Sequence, residues 1–174
     1  SWYATPITTD GTSYTLTEVT AEIEDFNPAG TLFMEIWSVS ASAPSANIAR
    51  LSLVDANFPK VFTGSVSLGA NTSYFIVTGV DNGGGQWKED INFGDPLGPY
   101  FNVQSGSWTL STIGAASTQS FHSTDFGASW TPSGALAAPA RMSLSATAVP
   151  EPGTVALLGL GALALVGRAL RRHR

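Results

Sequence analysis

Few residues of this 174-residue chain combine the type and the spacing that chemistry needs. Ser120-Phe121-His122-Ser123-Thr124-Asp125 sets an imidazole among hydroxyls and a carboxylate. A Ser-His-Asp hydrolase requires those groups within hydrogen-bond reach of one another. No Gly-x-Ser-x-Gly elbow is present to hold a nucleophile, and hydroxyls are too common here to single one out. Glu18, Glu22 and Glu24 are the nearest thing to the paired carboxylates of a glycosidase, yet a solvated sheet face accounts for them. Asp81-Asn82-Gly83-Gly84-Gly85, with Asp90 and Asp95 nearby, offers oxygen ligands for calcium. It lacks the spaced Asp-x-Asp-x-Asp pattern and the distal Glu, so it reads as a hairpin turn and no metal site is assigned. Trp87, Tyr100 and Trp130 are aromatic rings that can stack on sugars; Trp37 and Trp108 fall on strands and are expected in the core. No catalytic residue and no cofactor is expected, and Asn71-Thr72-Ser73 matches a glycosylation acceptor only formally.

The elements that must position these residues are strands. Ser13–Phe26 alternates, but Tyr14 and Leu16 are out of phase with Val19, Ala21 and Ile23, which predicts a bulge near Thr17-Glu18. Asn27-Pro28-Ala29-Gly30 is a turn. Thr31–Ser40 carries Leu32, Met34 and Ile36 on one face and Phe33, Trp37 and Val39 on the other, as a central strand does. Ala41–Asn47 reads as a small-residue loop and Ile48–Val54 as a short strand or one helical turn. Lys60–Leu68 alternates through Val61, Val66 and Leu68, and Tyr74–Val77 is a continuous apolar run suited to a buried strand. Ser107–Ile113 and Ala140–Ala148 are further strands, with Asp90–Asn102 as loop. The expected fold is all-β: an antiparallel β-sandwich, jelly-roll or Ig-like, of about 7–9 strands over residues 1–148.

Composition narrows the partners. The chain has no Cys, so neither disulfides nor thiolate chemistry is available. Only 12% of its residues are charged, against 43% hydrophobic. Before residue 149, four basic residues face twelve carboxylates, a net charge of −8. A body that acidic repels phosphate backbones, so no nucleic-acid partner is expected.

Residues 149–174 are unlike the rest. Pro150-Glu151-Pro152 precedes an apolar segment containing Val155, Ala156, Leu157, Leu158, Leu160, Leu163, Leu165 and Val166. Arg168, Arg171, Arg172 and Arg174 follow. Sixteen uncharged residues from Pro152 to Gly167 make a helix of about 24 Å, short of the ~30 Å hydrocarbon core, with the arginines placed as a cytoplasmic stop. This three-part tail resembles a PEP-CTERM sorting signal. The resemblance implies a short transmembrane helix in the inner membrane, recognition by an exosortase-type sorting enzyme at Pro150, Glu151 and Pro152, and transfer to the cell surface or extracellular matrix. A protein so routed needs an export signal, expected to precede Ser1 or to have been removed.

The body carries a second resemblance. Tyr14-Thr15-Leu16 with Val19, then Phe33-Met34-Glu35-Ile36-Trp37, then Leu68-Gly69-Ala70-Asn71-Thr72-Ser73-Tyr74-Phe75-Ile76-Val77, is similar to the choice-of-anchor R domain. That resemblance spans about Thr5 to Ala148 and implies a β-sandwich of bacterial surface proteins, with no activity to transfer. The expectation is an exported surface or matrix protein with a structural or adhesive role and no catalysis. The alternatives are a carbohydrate-binding module with extracellular polysaccharide as its partner, and a secreted hydrolase.

Overall fold

The computed structural model describes residues 2–21, 30–57, 59–81, 101–103, 109–110, 120–132 and 142–150. The strands are β1 (Trp2–Thr8), β2 (Tyr14–Ala21), β3 (Thr31–Ser40), β4 (Ala43–Asp55), β5 (Lys60–Leu68), β6 (Ser73–Asp81), β7 (Phe101–Val103), β8 (Thr109–Leu110), β9 (Phe121–Ser123), β10 (Thr131–Pro132) and β11 (Met142–Ala148). They join in one hydrogen-bonded sheet ordered β10-β9-β1-β6-β3-β4-β5-β2-β11-β7, with β8 beside β9 on β1. Every pairing is antiparallel except β11 with β7. The strand count exceeds the expected 7–9 because four of the eleven are only two or three residues long. Among the described residues there is no helix, and none long and apolar enough to cross a membrane. The expected C-terminal helix and its arginines lie outside the described residues.

The phase change in β2 is a bulge. Leu16 opposes Ala146 on β11 while Glu18 opposes Ser145, so Thr17 is the extra residue. Its hydroxyl donates to the Ser145 carbonyl at 3.0 Å. One inserted residue reverses the alternation, so Tyr14, Leu16, Val19 and Ala21 all face the same core.

β3 and β6 are buried on both faces, as the double apolar pattern of β3 and the run in β6 require. Leu32, Met34 and Ile36 enter one cluster together with Ile7, Tyr74 and Ile76. The same cluster takes Leu16, Val19, Phe62, Val66, Leu68, Met142 and Leu144 from β2, β5 and β11. Residues at remote positions in the strand order therefore share one core. Phe62, rather than Val61, is the inward residue of β5, in phase with Val66 and Leu68. The opposite face of β3 and β6 holds a second cluster of Ala4, Phe33, Phe75, Val77 and Phe121, flanked by Trp2, Trp37 and Trp130.

β4 connects the two arms of the sheet. Residues from Ala43 to Leu51 pair with β3, and Ser52, Leu53 and Asp55 pair with β5. The expected small-residue loop is only a two-residue turn: Ala41 (φ 48°) and Ser42 (φ 65°) join Ser40 to Ala43. Both central residues are left-handed, the geometry of a type I′ hairpin, which favours Asn-Gly. β1 carries Pro6 in its interior, opposite Phe75. β9 pairs with β1 as far as Ala4, and β8 begins at Ile7. Pro6 therefore falls in the gap between them, where its missing N–H removes no ladder bond.

Replacing Ala41-Ser42 by Asn-Gly is expected to stabilise the fold by about 1–2 kcal/mol, since each non-Gly left-handed residue carries a penalty of that order. A urea midpoint that stays put or falls would refute the type I′ assignment.

Candidate functional site

The second face of the sheet places charge among aromatic rings. Alternation along β3 directs Phe33, Glu35 and Trp37 to the same side. Glu35 is only 4% exposed at its side chain. An unpaired carboxylate there would be strongly disfavoured, so both oxygens are bound. Trp37 Nε1 donates to Oε2 at 2.7 Å, and Arg50 Nε donates to Oε1 at 2.7 Å. Register makes this contact automatic: Glu35 and Arg50 are directly paired across β3 and β4.

Arg50 bridges two carboxylates. Its Nη1 donates to Asp81 Oδ2 at 2.5 Å, and its guanidinium lies 4.5 Å from the Phe33 ring centre. The guanidinium is held more basic than usual, chiefly by the hydrogen bond to Asp81 and further by Glu35. Its side chain stays 45% exposed, so the network reaches from the buried face to solvent.

Aromatic rings surround this network. Trp2 meets Phe33 edge-on at 4.7 Å and Trp37 at 6.3 Å, and Trp37 meets Trp130 at 5.7 Å. Gly79 opposes Phe33 in the β3–β6 ladder. A Cβ on it would lie 2.4 Å from Trp2 and 2.8 Å from Phe33, so only glycine lets both rings cross the strand. The Trp2 and Trp130 indole N–H groups are buried without a hydrogen-bond partner.

The histidine segment runs through β9 into a turn. β9 buries Phe121 and Ser123 and turns His122 to the opposite face. Ser123 Oγ donates directly to Asp125 Oδ1 at 2.7 Å, with no imidazole between them. Asp125 also accepts from the Ser129 amide at 2.9 Å and the Ser129 hydroxyl at 2.6 Å, and Ser123 Oγ accepts from Gly127 N at 2.8 Å. These bonds lower the Asp125 carboxyl to about 2, the Ser129 hydroxyl contributing most, then the Ser129 amide and Ser123. They clamp a turn whose central residues, Phe126 (φ 60°) and Gly127 (φ 83°), are both left-handed.

Most of the other expected sites lie outside the described residues. Trp130 packs against Trp37, whereas Trp87, Trp108 and Tyr100 lie outside the described residues. Glu18 is half-buried on β2; Glu22 and Glu24 lie outside. Asp81 is held by Arg50, and Asn82–Gly85, Asp90 and Asp95 lie outside. Among the described residues no group of three His, Cys, Asp or Glu side chains is placed to hold a metal. Asn71 is exposed in a turn at φ 50°. Sequence reasoning missed Glu35, Arg50 and Trp2. The signal for Glu35 was its parity with Phe33 and Trp37 within an apolar strand.

At the C-terminal end, β11 finishes with Val149 N donating to Ser13 O at 2.8 Å. Pro150 has no N–H, so the ladder stops there. Thr147, Ala148, Val149 and Pro150 are exposed, while Glu151, Pro152 and the residues beyond lie outside the described residues.

Two outcomes follow from these contacts. Arg50→Met should destabilise the protein by about 3 kcal/mol by stranding the Glu35 charge, and adding Glu35→Leu should recover most of that loss. Equal urea midpoints for the single and double variants would rule out the coupling. Since the folded Asp125 carboxyl titrates below the unfolded value of 3.8, its stabilisation is complete above pH 3.8 and disappears as pH falls through about 2. An NMR titration of that carboxyl carbon with a midpoint near 4 would contradict the clamp.

No curated protein and no solved structure matches the chain. A family model described as the PEP-CTERM protein-sorting motif matches residues 148–172, beginning at the last residue of β11. The motif implies export, processing by an exosortase-type enzyme and a cell-surface or extracellular location.

Proposed function

We propose that this protein is an exported β-domain with a structural or adhesive role outside the cell, delivered by its C-terminal tail and free of catalysis. The observation that carries the reading is the coincidence of two boundaries. The sorting motif begins at residue 148, and the sheet ends with the Val149–Ser13 hydrogen bond. A tail that starts where the ladder stops is removable without loss of any strand from β1 to β11.

In this reading residues 1–148 form one domain and 149–174 form the signal. Pro150, Glu151 and Pro152 are recognised by the sorting enzyme. The segment Val155–Val166 parks transiently in the inner membrane, and Arg168, Arg171, Arg172 and Arg174 hold it from the cytoplasmic side. The body is a two-layered sandwich of the choice-of-anchor R type. The shared core of β3 and β6 with β2, β5 and β11 favours that layering, and β4 is the strand that turns the corner. Extracellular polysaccharide is the partner proposed for the adhesive role.

Intact-mass measurement of the protein recovered from its native host tests the routing. The mature form should lack Arg168–Arg174, and Glu151→Ala should accumulate in the membrane with its tail retained. Recovery of the full tail in wild type, with no effect of the substitution, would defeat the proposal.

A further inference from the structure

The clamped turn between β9 and β10 holds an aromatic ring where its backbone favours glycine. Phe126 stands at φ 60°, a conformation that bulky side chains rarely adopt. Phe126 is nonetheless 58% exposed. It meets Trp2 edge-on at 6.3 Å, which fixes its direction. Beside it, Gly127 occupies the next left-handed position, where a Cβ would lie 2.6 Å from Trp2. Three side chains, Ser123, Asp125 and Ser129, are used to hold this geometry. Strain maintained by so many bonds, around an apolar group left in water, marks a binding surface rather than a packing requirement.

The register also places this turn. Ser123 pairs with Trp2 at the start of β1, and Tyr14 at the start of β2 pairs with Ala148. The other end of β1 is tied to the β5–β6 turn by Thr9, whose N–H bonds Thr72 O at 3.1 Å and whose hydroxyl bonds Gly69 O at 2.6 Å. Ala148 and Val149 thus lie at the end where β1 hands over to β2, and Phe126 stands at the opposite end.

We propose that Phe126, backed by Trp2, is a stacking platform for a ring of a neutral polysaccharide, on the end of the domain opposite Pro150. One exposed ring matches one sugar ring and falls far below the roughly 800 Å² that a stable protein partner needs. The net charge of −8 on the body opposes anionic polymers. Thr124, exposed in the same turn, offers a hydroxyl for the polar edge of the sugar. The inference rests on the extracellular reading above, but its test does not depend on sorting.

The full chain in detergent micelles is sedimented with cellulose, a neutral glucan, and assayed with alginate, an anionic polymer. Wild type and Phe126→Tyr should bind cellulose and leave alginate free. Phe126→Gly should weaken cellulose binding roughly tenfold, the size of one lost aromatic contact. Its thermal midpoint should be equal or higher, because glycine is relaxed at this φ. That pairing of lost binding with kept stability separates a ligand contact from a folding role. Wild-type retention by Phe126→Gly, preference for alginate, or no cellulose binding at all would overturn the proposal. A failure here leaves the mass measurement unaffected, and a failure of sorting leaves this binding measurable.

Discussion

A strand that is apolar on both faces must be covered on both, and β3 with β6 imposes that demand on the rest of the molecule. One face is covered by β2, β5 and β11, which contribute to the same buried cluster although they lie elsewhere in the strand order. The bulge at Thr17 follows from this, because β2 must aim Leu16 and Val19 at the same core despite their opposite parity. So does the double pairing of β4, the strand shared between the two neighbourhoods.

The other face is covered differently. Aromatic rings and an ion network lie where a second layer of aliphatic side chains would otherwise be needed. Glu35 is tolerated there because cross-strand register supplies its counter-ion and its own strand supplies an indole donor. A buried pair of this kind is weak evidence for stability and better evidence for specificity. It ties β3, β4 and β6 in one register, since a shift of a single residue would part Arg50 from both carboxylates.

What the chain disclosed in advance was set by how local each signal is. β3, β5 and β6 were legible because apolar periodicity is a local pattern, and Thr17 was legible because a bulge leaves a phase error in that pattern. β1 was not, because Pro6 argues against a strand unless the gap between β8 and β9 is known. β4 was underestimated because Ala, Ser, Pro and Asn describe a loop as well as a strand, and only pairing with β3 decides between them. The site divides in the same way. The sorting motif is a contiguous run and was readable outright. The Glu35–Arg50–Asp81 network and the Trp2–Phe126 contact join residues far apart in sequence.

The hydrogen bond from Val149 to Ser13 has a mechanical consequence. A tether at Pro150 transmits any pull into β11, which is held along its whole length by β2 and by β7 over Met142–Leu144. Force applied lengthwise to such a strand loads its ladder bonds together, in shear, instead of opening them one after another. The last of the described strands is thus placed to resist force applied at its C-terminal end.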